Sequence, residues 1–302
     1  IIRPGVGYIH LDRFGATSGT EVKEAIEKLK EQGMKDLIFD LGSNGGGYLG
    51  AAVEVANQFL NAGDLVVYTE GRTTPKEQLK AEGGGLFRKG KLIILVDEFT
   101  ASAAEIVSGA VQDYDRGTIV GRRTFGKGLV QRPIPLPDGS MIRLTVAHYY
   151  TPSGRCIQKP YTKGRKSEYE EDFENRFKHG ELISIDSIHL DSTKVYHTLI
   201  NDQSLRYIDR HRADLKAKYT DIKAFIKNYE VPAELTDTIV VAAGRKGVKP
   251  KDDAELQKTL KDLRFTLKSL IIYDLWDRNE YFQFINSRSD IVKKALDILG
   301  KS

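Results

Sequence analysis

Three short loops hold the residues whose types could do chemistry. The first is Asp40-Leu41-Gly42-Ser43-Asn44-Gly45-Gly46-Gly47, which follows an apolar strand-like run. Consecutive glycines free backbone N–H groups to point at a ligand, which suits an anion or an oxyanion. A flexible turn is the plainer reading. A phosphate loop would need Gly-Lys-Ser/Thr after the glycines, and none follows. The second is Glu98-Phe99-Thr100-Ala101-Ser102-Ala103-Ala104-Glu105. Ser102 falls where a strand turns into a helix, in a run of small residues. That geometry projects a hydroxyl and aims the next N–H at the same point. A simple helix N-cap is the alternative. The third is Thr124-Phe125-Gly126-Lys127-Gly128-Leu129-Val130-Gln131. Its lysine lies between two glycines, as if something must come close. At strand period, residues 127, 129 and 131 share a face, so Gln131 could reach the Lys127 amine. The plainer reading is a turn lysine beside a strand.

A nucleophilic serine needs a base, and the six histidines are poor candidates. His10 lies in the first strand pattern and His148 in a hairpin. His179, His189, His197 and His211 lie late in the chain, and none sits in a small-residue loop. A buried lysine can act instead, because desolvation disfavours the ammonium and leaves an amine able to take the serine proton. On this reading Lys127 is expected to be buried, and Gln131 would orient it without adding charge.

These loops need rigid elements behind them. Residues 6–14 alternate apolar and polar, as a half-buried strand does. Ser18, with Glu21 three residues on, predicts a capped helix ending at Gly33. Runs 35–41, 65–68, 92–96 and 118–121 read as strands, and 48–60 and 101–113 as helices. Residues 129–136 and 140–150 flank Pro137-Asp138-Gly139 and predict a hairpin. Residues 73–88, with three consecutive glycines, read as a polar flap. Strands alternating with helices give an α/β sheet domain. After about residue 200 the pattern is helical, with Leu256, Leu260, Leu263, Leu267 and Leu270 forming one apolar stripe.

Composition narrows the classes. Of 302 residues, 40% are hydrophobic and 29% charged, which suits a globular protein, and no apolar run is long enough for a membrane span. The net charge of +4, from 46 basic and 42 acidic residues, is too mild and too dispersed to argue for nucleic acid. Cys156 is the sole cysteine, so no internal disulfide can form. The chain opens Ile1-Ile2-Arg3-Pro4 without a Met and reads as part of something longer.

Taken together, the three loops resemble the carboxy-terminal processing, or tail-specific, serine peptidases. That family's DLRxNxGG, SASASEI-like and (S/T)(F/Y)GKGxxQ segments have counterparts in DLGSNGGG at 40–47, TASAAEI at 100–106 and TFGKGLVQ at 124–131. The order matches, 25 residues separate Ser102 from Lys127 as in the family, and Thr151-Pro152-Ser153-Gly154-Arg155 resembles its TPSGR-like stretch. The likeness covers roughly residues 5–158. It implies a crotonase-like α/β core, with Ser102 as nucleophile, Lys127 as general base and Gln131 as its orienter. The N–H of Ala103 and one from Gly46 or Gly47 would form the oxyanion hole. It also implies cleavage of proteins near unstructured C-termini, a PDZ domain upstream of this chain, and a bacterial periplasmic or cell-envelope setting. No metal or organic cofactor is implied.

Three departures accompany the likeness. Gly42 replaces the family arginine, Ala104 replaces the second serine, and a GIxPD-type strand is missing near Ile200-Asn201. The expected organisation is a peptidase core at 1–158, a connecting segment at 159–200, and a helical region at 201–302. Two other functions fit parts of the pattern. One is an inert peptide-binding relative. The other is a crotonase-like acyl-CoA hydratase or hydrolase with a carboxylate base. Glu105 is the nearest carboxylate for that, but its helix is expected to aim it elsewhere.

Overall fold

The computed structural model describes residues 1–160 and 190–300, excepting the side chains of 190–197. These residues form two compact units, one of 1–160 with 290–300 and one of 190–289.

The first unit is built on two sheets. Strands β1 (Val6–His10), β2 (Asp36–Asp40), β5 (Leu92–Val96) and β6 (Thr118–Gly121) form a parallel sheet in the order β1-β2-β5-β6. Parallel strands need crossovers. Helices α1 (Ser18–Glu31), α2 (Leu49–Asn57) and α3 (Ala103–Asp113) lie in those connections. Strands β3 (Leu65–Glu70), β4 (Glu77–Lys80), β7 (Leu129–Pro135) and β8 (Met141–Tyr150) form a second, antiparallel sheet in the order β4-β3-β8-β7.

Strand β5 throughout, and β2 between its terminal aspartates, are apolar because both sheet faces are covered. Leu37, Phe39, Leu92, Ile94 and Val96 pack with Val22, Ile26, Val55, Phe59 and Val107. Ile38, Ile93 and Leu95 face the other way, against Val292, Ala295 and Leu299. Those three lie on the chain's last helix, Asp290–Gly300. This helix falls within the stretch read from sequence as one helical region, yet it packs on the first unit's sheet. Spacing shows that it is amphipathic but not which face in the fold it covers.

Two local expectations change. Thr17, not Ser18, precedes α1, and its hydroxyl bonds Glu21 Oε1 at 2.6 Å. Ser18 is buried, accepting from Gly15 N and donating to the Arg13 carbonyl. The segment 73–88 is structured as well. It contributes β4, and its glycines lie against the end of α2, where Gly83 exchanges two hydrogen bonds with Asn57. A Cβ at Gly85 would stand 2.0 Å from the Asn57 carbonyl oxygen, so glycine there serves close packing.

The second unit is helical. It comprises α4 (Leu190–Lys218), α5 (Ile222–Asn228), α6 (Ala233–Arg245), α7 (Asp253–Leu275) and α8 (Arg278–Asn286). Its core gathers Ile208, Phe225, Ile239, Leu267, Ile271 and Ile272. The leucine stripe of α7 is buried at Leu263 and Leu267 and continues into Ile271, Ile272 and Leu275, while Leu256 and Leu260 are only half-buried. The described helices include none long and apolar enough to cross a membrane.

Candidate active site

The site gathers at the carboxyl ends of β2 and β5, where an open α/β sheet offers its loops. The glycine loop leaves β2 and is pinned from three sides. Asp40 Oδ1 accepts from Gly42 N at 2.8 Å. Asp97 Oδ2, just past β5, accepts from Ser43 N at 2.8 Å and from its hydroxyl at 3.1 Å. Asn44 is fully buried, donates to the Leu11 carbonyl at 2.6 Å and accepts from Gly46 N at 2.9 Å. Its own carbonyl accepts from Ala101 N, at the start of the nucleophile segment.

That segment is pinned in turn. Asp97 Oδ1 accepts from the N–H groups of Phe99 and Thr100, and the Thr100 hydroxyl donates to the Leu41 carbonyl at 2.8 Å. Ser102 then takes φ 57° and ψ −115°. A non-glycine residue at positive φ is strained, and such strain gathers where a side chain must be aimed. Ser102 is half-exposed, while Ala101 and Ala103 on either side are buried.

Gly46 closes the gap between the two loops. A Cβ there would lie 2.7 Å from the Ala101 carbonyl oxygen, 2.8 Å from Ser102 Cβ and 2.9 Å from Ala103 N, and its φ is +92°. Only glycine fits on both counts. Its N–H is taken by Asn44, so its place is one of shape. Among the described residues, the N–H groups of Gly47 and of Ala103, first residue of α3, carry no partner. The Ala103 N–H, an orphan donor of a helix start, directly follows Ser102, and the Gly47 N–H follows the glycine packed against it.

Gly42 stands between two carboxylates. A Cβ on it would approach Asp40 Oδ1 at 3.0 Å and Asp97 Oδ2 at 3.4 Å. Among the described residues no arginine pairs with either. Asp40 instead accepts the Tyr8 hydroxyl at 2.5 Å and faces His10 Nδ1 at 3.4 Å, while His10 Nε2 lies 3.1 Å from Asp12. Burial pushes the His10 imidazole down, but Asp40 and Asp12 outweigh it, and its pKa ends above the ordinary value. His10 belongs to this support rather than to the serine. His148 lies in β8 and His211 in the helical unit, whereas His179, His189 and the His197 side chain fall outside the described residues.

The lysine loop is placed differently. Lys127 is exposed, against the expectation of burial, and so is Gln131. Lys127 precedes β7, and a register irregularity falls between Val130 and Gln131. The simple alternation that would put 127, 129 and 131 on one face is therefore broken. Among the described residues the Lys127 amine bonds neither Ser102 nor Gln131. The flanking glycines serve the segment 157–159. A Cβ on Gly126 would stand 2.9 Å from Lys159 Cβ, and one on Gly128 2.3 Å from Gln158 N.

Sequence reasoning missed one residue. Glu105, 5% exposed, accepts from Ser102 N, Thr124 Oγ1, Gly126 N and Lys127 N at 2.7–2.8 Å. Its helix aims it straight at both loops, and with both oxygens occupied by protein donors it is no free base. Three of its partners lie 19–22 residues away, so no local pattern reveals them. At the far end of α3, Asp113 bonds the Arg155 guanidinium and accepts from Ser153 N. The Thr151–Arg155 stretch thus anchors the helix that carries Ser102.

The model of peptidase family S41 matches residues 5–167, more than half of the sequence. The chain belongs to peptidase family S41. Residues 194–277 match a family of unknown function, DUF8443. Over 159 residues the sequence is 44% identical to the carboxyl-terminal-processing protease of Synechocystis sp., covering 52% of this chain and 37% of that protein. It is 39% identical over 154 residues to the chloroplastic C-terminal processing peptidase of Tetradesmus obliquus, covering 51% of this chain and 33% of the relative. Among solved structures, a photosystem II D1 C-terminal processing protease is 37% identical with a TM-score of 0.48, covering 51% of this S41 chain and 39% of its own. The S41 chain thus spans about a third of the length of the curated relatives it matches.

Proposed function

We propose that this chain is the catalytic part of a serine endopeptidase acting through Ser102 and Lys127. Ser102 Oγ bonds to the scissile carbonyl carbon and its proton passes to the Lys127 amine. The amine returns that proton to the departing peptide nitrogen as the C–N bond breaks. Water, deprotonated by the same amine, then attacks the acyl carbon, the C–Oγ bond breaks, and the amine returns the proton to Ser102 Oγ. Ala103 N–H and Gly47 N–H hold the oxyanion, with Gly46 giving room for it. Gln131 orients the amine once the loop closes on substrate, since side chains at such sites tighten only in the complex.

One observation carries the reading. A serine strained to positive φ at a helix start is packed on a glycine that tolerates no Cβ, and the N–H that follows it, that of Ala103, has no partner among the described residues. A helix cap needs none of that strain. A fluorophosphonate should label Ser102 stoichiometrically, and Ser102→Ala should lose both label and peptide turnover while keeping its circular dichroism. Full turnover in that variant would reduce Ser102 to a cap.

The substrate class is proposed from the family resemblance and from the edge of β7. Proteins with free, unstructured C-termini, in a bacterial periplasm or cell envelope, are the proposed targets, delivered by a PDZ domain in the longer protein. An extended tail would pair with the free edge of β7. Leu136 N donates inward to the Ser140 carbonyl, so the odd-numbered residues 131, 133 and 135 face outward. Pro133 and Pro135 have no N–H, which confines pairing to the start of β7, next to Lys127.

A further inference from the structure

Glu105 is the one described side chain that holds backbone from both halves of the proposed pair. Oε2 accepts from Ser102 N and Lys127 N, each at 2.8 Å. Oε1 accepts from Thr124 Oγ1 and Gly126 N, each at 2.7 Å. Two carboxylate oxygens offer about four lone-pair sites, and all are used. No lysine, arginine or histidine among the described residues pairs with it. A buried carboxylate without a cation is costly unless hydrogen bonds and dipoles stabilise it. Here four donors and the start of α3 do so. Capping α3 would require only the Ser102 bond. The other three go to the loop that carries Lys127.

Backbone bonds add to these ties. Phe125 N donates to the Thr100 carbonyl at 3.0 Å, and Gly126 accepts from Lys159 N at 2.9 Å. The N–H groups of Ser102 and Lys127 thus share one acceptor, Glu105 Oε2, which couples the position of one to that of the other.

We propose that Glu105 is a positioning residue, a carboxylate clasp that fixes the Lys127 loop against Ser102 so that the amine can reach the hydroxyl. This rests on the Ser102/Lys127 reading above. The amide of Glu105→Gln brings its own donors against two donors, so part of the clasp must open whichever way it turns. Thr124→Val removes one donor at nearly constant shape, and Thr124→Ser keeps it.

The test uses the full chain, an unstructured quenched-fluorescence peptide with a free carboxyl terminus, and the fluorophosphonate labelling rate at Ser102. Misplacing a reacting group by about 1 Å costs on the order of 100-fold. Glu105→Gln is expected to lose about that much in kcat and in labelling rate, with KM within about twofold. Thr124→Val should lose about tenfold in kcat at unchanged KM, and Thr124→Ser should restore it. A folded Glu105→Gln with wild-type kcat would overturn the clasp. If that variant does not fold, wild-type kcat in Thr124→Val would overturn it instead. So would a loss that tracks the unfolded fraction and is not rescued by Thr124→Ser. Activity in Ser102→Ala, run in parallel, would overturn the dyad reading itself, whatever Glu105 does.

Discussion

The two sides of the candidate site are built in opposite ways. On the glycine side, Asn44, Thr100, Ala101 and Ala103 are buried, and Asp97 and Asn44 spend their side chains on backbone groups of the loops. On the lysine side, residues 131–145 are exposed, and Ile142, Leu144 and Met141 stand in solvent on the hairpin. The nucleophile and its N–H donors are thus set by the core, whereas the exposed amine is placed through the Glu105 bonds to its loop. Such a division keeps the strained half rigid and leaves the proton-accepting half to be completed by substrate. It follows that changes on the glycine side should harm stability and activity together, and changes on the lysine side activity alone.

The sharpest contrast is between neighbouring glycines. Gly46→Ala forces a Cβ to within 2.7–2.9 Å of the Ala101 carbonyl, Ser102 and Ala103 N, at a φ of +92°. Turnover should fall to background. Gly45 has nothing within 4 Å of its would-be Cβ, so Gly45→Ala should keep wild-type rate in the same peptide assay. Asn44→Ala comes next. It strands the buried Gly46 N–H and Leu11 carbonyl and should cost about 2–4 kcal/mol in denaturant melts, together with most of the activity. On the lysine side, Gln131→Ala should change stability by less than about 0.5 kcal/mol, as exposed positions do, while lowering kcat. A large stability loss there would erase the contrast.

How much of this could be read from the sequence depended on range. The glycine loop and Ser102 announce themselves because a strand, a small-residue turn and a helix follow within a few residues. The Lys127 loop was legible as a motif, but its exposure was not, because the irregularity at Val130/Gln131 and the contact with residues 157–159 are tertiary. Glu105 reads from sequence as a helix carboxylate aimed elsewhere, since three of its bonds span 19–22 residues. The helix at 290–300 falls in a stretch that reads as helical, while its seat on Ile38, Ile93 and Leu95 depends on the sheet having an uncovered side.

The smallest expected effect concerns the support beneath the glycine loop. The folded-state pKa of His10 is raised, because Asp40 and Asp12 overcome the effect of burial. A group that binds its proton more tightly when folded stabilises the fold fully below its unfolded value of about 6.5. That contribution is lost as pH rises through the raised folded value. The stability difference between wild type and His10→Gln should therefore be larger at pH 5 than at pH 9. A difference that grows with pH would refute this assignment of the Asp12–His10–Asp40 cluster.

The account stands or falls on what accepts the Ser102 proton, and Lys127→Arg tests that most directly. Arginine keeps the reach and the exposed position, and the backbone bond from residue 127 to Glu105 is unaffected by the change. A guanidinium stays protonated, however, and cannot take a proton from a hydroxyl. Steady-state turnover of the unstructured peptide should match that of Ser102→Ala, with circular dichroism unchanged. Turnover near the wild-type rate would exclude Lys127 as the base and contradict the Ser102/Lys127 mechanism.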